Sequence, residues 1–298
     1  MTRALVIGAA GQVGEHLVRA LQKKGQTVVG ADLIDSAAEI LALDICNRED
    51  VNRLIESKHP EVVYLPASLT NVDYCEQHPR ESLQVNVVGV ENVLRAVNKS
   101  GARLVYFSSD YIFDGEDGPY TEDATANPVN EYGRQKLIAE HLIALLARDF
   151  LIVRTTIVYG WESQGKNFIF RLLRSLQGKD KVRVPVDQIG TPTFAPNLAQ
   201  ATVELAASPL QGVFHLAGTG RVSRYEFACH AARAFGLNEG LIQAVQTSDL
   251  RQPARRPLKA GLTPLKAQSV LKTPLTSYQD GLTEMAAEKE IFLKGNLE

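Results

Sequence analysis

The stretch Ala4-Leu-Val-Ile7-Gly8-Ala-Ala-Gly11-Gln-Val-Gly14 decides the fold. Four apolar residues run straight into three glycines spaced three apart. Glu15 to Lys24 then carries helical spacing through Leu17, Val18 and Leu21, until Gly25 stops it. Thr27-Val-Val-Gly-Ala31 is a second apolar run, ending at Asp32. Strand, tight turn, helix and strand in this order predict a parallel pair with a crossover helix. Gly8, Gly11 and Gly14 lack a Cβ, so the turn can approach a pyrophosphate closely. The helix start near Gln12 adds N–H groups and a positive dipole end. The spacing Gly-x-x-Gly-x-x-Gly differs from the commoner Gly-x-Gly-x-x-Gly, but its strand-before, helix-after context fits a dinucleotide turn. Asp32 lies 18 residues past Gly14, placed to hydrogen-bond adenosine ribose hydroxyls. It would repel a 2′-phosphate, and no Arg or Lys follows closely, which favours NAD(H) over NADP(H). Asp44 and Ile45, after a short apolar run, are candidates to bracket the adenine.

The alternation continues. Helices are predicted over Asn47 to Ser57, Pro79 to Ser100 and Asn130 to Arg148, and strands over Glu61 to Leu65, Arg103 to Phe107 and Phe150 to Arg154. Repeated strand and helix with short loops predict an α/β fold with a doubly wound parallel sheet, Rossmann-like in kind. After Tyr159 the pattern changes. A helix over Asn167 to Gln177, a short strand over Lys181 to Pro185, a loop over 190–196 entering a helix at Asn197, and a helix over Tyr225 to Phe235 follow. Gly212-Val-Phe-His-Leu216 is strand-like and is expected to rejoin the main sheet. A last helix is read from Gln279 to Lys294. The expected division is a dinucleotide-binding domain over 1–160, with 186–217 returning to it. A smaller C-terminal substrate-binding lobe then comprises 161–185 and 218–298.

The chemistry concentrates in Tyr132-Gly-Arg-Gln-Lys136. A tyrosine and a lysine four apart share one helix face. An ammonium beside the phenol is expected to lower its pKa and make Tyr132 a usable proton donor or acceptor. Upstream, the buried strand ending in Ser108-Ser-Asp110 places hydroxyls at a carboxyl end, where open α/β sheets take their ligands. In this reading Ser109 polarises a substrate carbonyl and Tyr132 delivers the proton. Lys136 tunes Tyr132 and holds the nicotinamide ribose. Ser108 is expected to point the other way, into packing. Arg251, Arg255 and Arg256, flanking Pro253 and Pro257, read either as a solvated basic loop or as a clamp on a substrate diphosphate. His215, inside an apolar strand, reads as structural.

The chain has 298 residues, is 45% hydrophobic and 22% charged, and carries a net charge of −2. These values suit a soluble globular enzyme and give no electrostatic reason to expect nucleic acid or an anionic membrane. Cys46, Cys75 and Cys229 are too far apart in sequence for a metal knuckle or a disulfide framework, which points to a reducing cytoplasm and no metal site. No stretch approaches a membrane span or a secretory core.

Taken together, Gly8 to Gly14, Ser108-Ser-Asp-Tyr-Ile-Phe-Asp-Gly115 and Tyr132-Gly-Arg-Gln-Lys-Leu137 resemble the extended short-chain dehydrogenase/reductases. Arg154-Thr-Thr-Ile-Val-Tyr-Gly160, Asn167-Phe168, Asp187 to Thr193 and Arg255-Arg-Pro257 narrow the resemblance to the dTDP-4-dehydrorhamnose reductase branch. It implies a nicotinamide cofactor, NAD(H) or NADP(H), and reduction of the C4 keto group of a nucleotide-linked 6-deoxy sugar. The implied substrate is dTDP-4-dehydro-L-rhamnose, with a homodimer as the assembly to consider. It also implies that Gly11, Gln12 and Val13 hold the pyrophosphate, that Asp32, Asp44 and Ile45 hold the adenosine half, and that Ser68, Leu69 and Thr70 line the cofactor. Ser109, Tyr132 and Lys136 become the catalytic set. Asp110, Asn167 and Arg255 join Ser109 as substrate contacts. Two departures stand out. Ile157 occupies a position where the family often carries a Trp against the sugar, with Trp161 the candidate substitute. Leu69 stands where a polar residue is common. Two related readings share the motifs: a nucleotide-sugar epimerase or dehydratase, and a non-catalytic subunit resembling the methionine adenosyltransferase β subunit. Tyr111, where dehydratases tend to carry Glu, argues against the first. Retention of Ser109, Tyr132 and Lys136 argues for an enzyme.

Overall fold

The computed structural model describes residues 3–33 and 40–290. Its first unit is the one expected: strand β1 (Arg3–Ile7), helix α1 (Gln12–Lys23) and strand β2 (Thr27–Asp32), with β1 and β2 parallel. Then come β3 (Ile40–Ala42), α2 (Arg48–Lys58), β4 (Val62–Leu65), α3 (residues 79–100), β5 (Arg103–Ser109), α4 (Glu131–Leu146) and β6 (Phe150–Thr155). Helix α5 (Ala195–Ala206) and strand β7 (Gly212–His215) complete the layer structure. Among the described residues the main sheet has seven strands in the order β7-β6-β5-β4-β1-β2-β3, every pair parallel. The order reverses between β1 and β4. Such a switch point opens a crevice at the carboxyl ends of the strands.

A parallel sheet covered on both faces needs apolar residues pointing both ways. β1 shows this within four residues. Ala4 and Val6 join one core with Leu17 and Leu21 of α1, Leu198 of α5 and Phe107; Leu5 and Ile7 join the other with Val90, Val93 and Leu94 of α3 and Ile143 of α4. The helices start and stop where local chemistry dictates. Asn47 caps α2 by accepting from the N–H groups of Glu49 and Asp50, Asn130 caps α4 by accepting from Gly133, and Gly101, at φ 76°, ends α3. Within α3 the residues Gln84–Gly89 widen into a π turn around the buried Asn86.

The later chain packs a lobe around a separate apolar core. Its framework is three short strand pairs: Val158–Tyr159 with Thr193–Phe194, Ile189–Gly190 with Val222–Ser223, and Val182–Pro185 with Ile242–Val245. Its core gathers Tyr159, Trp161, Leu172, Phe227, Leu282 and Met285. The last helix runs Tyr278–Ala287, shorter than the reading to Lys294, whose end lies outside the described residues. No helix among the described residues is long and apolar enough to cross a membrane.

The join between β6, α4 and β7 is ionic. The Arg154 guanidinium donates to Glu140 at 2.7 Å (Nη2 to Oε2) and 3.0 Å (Nε to Oε1), with both side chains buried. Glu122 bridges the two strands: its carbonyl accepts from the Arg154 guanidinium and its carboxylate accepts from the His215 N–H. His215 is fully buried and its pKa falls to about 3, first through burial and then through Arg154, so it is the neutral structural histidine expected. Removing one partner of a buried pair strands the other charge. Arg154→Ala is therefore expected to lower unfolding stability by about 3–5 kcal/mol in urea titration. A loss below about 1 kcal/mol would show that this pair does not hold the sheet edge.

Candidate active site and cofactor cradle

The glycine turn is built for close approach. Gly8 sits at φ 100°, and its N–H donates to the Ala31 carbonyl at 2.8 Å. A Cβ on Gly8 would stand 2.6 Å from the Ala67 nitrogen, and one on Gly14 would stand 2.0 Å from the Gly8 carbonyl oxygen. α1 begins at Gln12 with no side-chain cap, so its first-turn N–H groups are left for an anion. Asp32, at the end of β2, accepts the Ala10 N–H on Oδ2 at 2.9 Å, which fixes the carboxylate beside the turn. Asp44 is exposed and accepts the Cys46 N–H at 2.8 Å, while Ile45 is buried against Gly89 with its carbonyl held by Asn92 at 3.0 Å. After β4, Asn86 brackets the next loop. Its Oδ1 accepts from Ser68 Oγ at 2.8 Å and the Leu69 N–H at 2.9 Å, and its Nδ2 donates to the Leu69 carbonyl at 3.1 Å. Thr70 is exposed just beyond. An uncapped helix start, a turn without room for Cβ atoms and a fixed carboxylate at the second strand fit a dinucleotide.

The turn is also latched to the lobe. Gln12 Nε2 donates to the Gly160 carbonyl at 3.3 Å, Gln164 Nε2 to the Ala10 carbonyl at 2.8 Å, and the Ser163 N–H to Glu15 at 3.2 Å. His16 Nε2 meets the Trp161 carbonyl at 2.9 Å, and burial holds its pKa near 4. The segment 160–164 thus closes over the glycine turn.

Across the crevice, β5 and α4 bring the catalytic candidates together. Gly133 lets α4 approach, because a Cβ there would meet the Tyr111 carbonyl oxygen at 2.0 Å. Tyr132 and Lys136 are both buried on the face turned to β5, 8% and 3% exposed. Lys136 Nζ donates to the Phe107 carbonyl at 3.0 Å and sits 4.9 Å from the Tyr106 ring centroid and 5.8 Å from that of Tyr132. Ser109 Oγ accepts from the Tyr111 N–H and donates to Asp110 Oδ1, both at 3.2 Å. Ser108 is buried in packing, as expected.

One electrostatic expectation is corrected. The Tyr132 phenol is not lowered but raised, first by burial and then by Asp110, Tyr111 and Cys75, with a hydrogen bond from Ser109 as the opposing influence. Burial outweighs the lysine because the lysine is buried too: its pKa falls from 10.5 to about 7, with Glu140 and Cys75 only partly countering. Tyr132 is accordingly a neutral phenol at pH 7, an acid ready to give its proton.

The substrate candidates divide. Asp110 is buried, 2% exposed, and accepts from Thr156 Oγ1 at 2.6 Å; burial raises its pKa against the bonds from Thr156 and Ser109. Asn167 is engaged on both ends, accepting from the Phe170 N–H at 3.0 Å and donating to Gly160 and Glu162 at 2.9 and 2.8 Å. It caps the helix Phe168–Gln177 and braces the latch, which aims Phe168. Arg255 is exposed, and its carbonyl accepts from Asn130 at 2.8 Å. Its neighbour Arg256 folds inward, onto Asp73 at 2.7 Å. Trp161 does not replace the missing wall residue. Its indole is 8% exposed, donates to the Met285 carbonyl at 2.8 Å, and packs edge-on against Phe170 and Phe235 in the lobe core. Ile157 is half-buried at φ 43°, a strained conformation for a β-branched residue, and bears on Gly190.

Three residues were not singled out from sequence. Asn86 was visible only as a polar residue in the apolar run 85–90, Thr156 as a hydroxyl after a strand, and Arg224 as one arginine among many. Arg224 lies over the Phe168 ring, 4.7 Å from its centroid, within electrostatic reach of Asp110 and Tyr111.

A doubly wound sheet, a glycine turn at its switch point and a serine, tyrosine and lysine converging across the crevice define an extended short-chain dehydrogenase/reductase. The sequence model of the RmlD substrate binding domain matches residues 2–291, and the chain belongs to that family, in the dTDP-4-dehydrorhamnose reductase branch. It is 33% identical to dTDP-4-dehydrorhamnose reductase of Escherichia coli K12, over 95% of this chain and 97% of that one. The crystal structure of a dTDP-4-dehydrorhamnose reductase from Clostridium acetobutylicum superposes with a TM-score of 0.88 at 31% identity, covering 97% of this chain and 100% of the other. That of the Bacillus anthracis enzyme in complex with NADP gives 0.87 at 28%, with the same two shares covered. Among the solved neighbours, that structure holds NADP.

Two outcomes follow from this geometry. Gly14→Ala forces backbone against backbone, and is expected to weaken NADH or NADPH binding more than about 10-fold in a fluorescence titration; unchanged affinity would remove the turn from the cofactor site. Lys136 is protonated in the unfolded chain up to pH 10.5 but only to about pH 7 when folded. The unfolded state then binds the extra proton between those values, so stability from this group rises with pH across that window, and the full penalty applies below pH 7. Without nucleotide, Lys136→Met is expected to be more stable than wild type at pH 6.5, by on the order of 2–4 kcal/mol. The gain should shrink towards pH 10. A destabilised variant at low pH would show that the amine is not strained by burial.

Proposed function

We propose that this chain reduces the C4 keto group of a nucleotide-linked 6-deoxy sugar, with dTDP-4-dehydro-L-rhamnose as the substrate and dTDP-L-rhamnose as the product. The observation that carries the reading is the buried trio at the end of β5. It pairs a phenol kept protonated, a hydroxyl beside it and an amine behind it. The chemistry a bound reduced nicotinamide would supply is a hydride to a carbonyl carbon. The rest belongs to the chain. Ser109 turns its one O–H from Asp110 to the carbonyl oxygen, and Tyr132 gives that oxygen its proton. Lys136 has one of its three donors on Phe107; the others would hold the nicotinamide ribose and balance the phenolate left on Tyr132. Asp110, fixed by Thr156, orients Ser109 and faces the sugar. The lobe, residues 161–185 and 218–290, carries the nucleotide and the sugar, and the latch at 160–164 ties its position to the cofactor turn.

Asp32 favours NAD(H) through its carboxylate beside the ribose position. The free thiols Cys46, Cys75 and Cys229 and a nucleotide substrate support a cytoplasmic reaction.

The test is the loss of nicotinamide absorbance with enzymatically prepared dTDP-4-dehydrorhamnose, using NADH and NADPH in turn. Turnover is expected, with NADH preferred. Tyr132→Phe is expected to lower kcat by about 10²–10⁴-fold with cofactor affinity retained. No turnover by wild type that binds cofactor tightly would overturn the substrate, and full activity in Tyr132→Phe would overturn the proton donor.

A further inference from the structure

We propose that Arg224, not the exposed Arg255, is the residue that holds the substrate's diphosphate. The inference rests on the nucleotide-sugar reading of the cleft and assigns its anion contact. Three observations lead to it.

First, the backbone of Arg224 is fixed. It opens the helix Arg224–Ala234 behind Ser223, which forms a capping box with Glu226. Ser223 itself pairs with Ile189 across a strand, and the Arg224 N–H donates to the Gln188 carbonyl at 2.7 Å. The capping bonds satisfy the helix end locally, so the side chain alone is free to serve a ligand.

Second, the guanidinium is half-buried and makes no direct ion pair. No ion pair and no side-chain hydrogen bond of Arg224 is found among the described residues; its contact is the Phe168 ring at 4.7 Å. Burial lowers its pKa. A desolvated, unpaired guanidinium is costly unless an anion completes it, and Arg meets phosphate oxygens two at a time. The other inward arginine of the cleft, Arg256, already has its anion in Asp73 at 2.7 Å.

Third, its place is right. Arg224 lies within electrostatic reach of Tyr111 and Asp110, and Tyr111 stacks edge-on against Tyr132 with ring centroids 5.7 Å apart. Arg171 and Arg256 add positive potential around it, so an anion there is favoured over the water it displaces. A sugar whose carbonyl reaches Tyr132 would carry its diphosphate away from the catalytic trio, across Tyr111 and onto Arg224.

The experiment is calorimetric titration of the full chain, saturated with NADH, by dTDP, by UDP and by phosphate-free thymidine. Wild type is compared with Arg224→Gln, Arg224→Lys and Arg255→Gln. Wild type is expected to bind dTDP far more tightly than thymidine. Arg224→Gln should weaken dTDP and UDP about 10- to 100-fold with NADH affinity unchanged. Arg224→Lys should fall between, because a point charge replaces a planar fork, and Arg255→Gln should match wild type. An Arg224→Gln protein that binds dTDP as wild type does, while wild type still prefers dTDP to thymidine, overturns the assignment and leaves the nucleotide-sugar reading standing. Wild type that binds neither dTDP nor UDP overturns both. A purely structural Arg224 would shift thermal stability without moving the dTDP constant, and that result also counts against it.

Discussion

The candidate catalytic end of this protein depends on burying an amine. Lys136 sits 3% exposed between the Tyr106 and Tyr132 rings with its Nζ on the Phe107 carbonyl. Nothing about folding asks for this. The amine could pair with water on the outer face of α4; burial instead lowers its pKa to about 7. What holds it there is geometry. Gly133 lets α4 close on Tyr111, Asn130 caps the helix, and the Arg154–Glu140 pair ties the next turn to β6. The helix is held by strong contacts on both sides of a weak one, a common way for a site to store strain that its ligands later relieve.

The same logic joins the two halves of the crevice. The glycine turn has no room for a Cβ at Gly8 or Gly14, and segment 160–164 bonds to it through Gln12, Glu15, His16 and Ala10. Asn167 braces that segment and caps the helix that aims Phe168 at Arg224. On the other side Asn86 ties the loop after β4 to α4 through Gln135 at 2.9 Å. The elements that border one side of the crevice are thus tied to those that border the other.

The sheet was legible in sequence because a strand buried on both faces leaves an unbroken apolar run. β1, β2, β4, β5, β6 and the returning β7 all read that way. β3 did not, being three residues long with Leu41 exposed, and its pairing comes from β2 rather than its own pattern. The two-residue strands of the lobe are too short to show a period, and their partners lie 31 or more residues away. The π turn in α3 is set by Asn86 reaching back to Leu69, a contact that helical spacing cannot announce. At the site, residue types and spacing found the glycine turn and the serine, tyrosine and lysine. They missed what depends on depth. The direction of the Tyr132 shift follows from burial, and so does the fate of Trp161, which went into the lobe core. Which arginine turns inward was likewise invisible: Arg255 and Arg256 are neighbours in sequence, yet one faces water and the other Asp73.

The most direct test of the account is a deuterium transfer experiment. Wild-type protein is incubated with reduced nicotinamide deuterated at C4 and dTDP-4-dehydrorhamnose, and the product sugar is read by mass spectrometry and NMR. The account predicts one deuterium at sugar C4, with the hydroxyl proton exchanged from solvent. Unlabelled nucleotide sugar recovered beside intact deuterated cofactor would contradict it, and would describe a protein that keeps the cradle and the buried trio without the reduction.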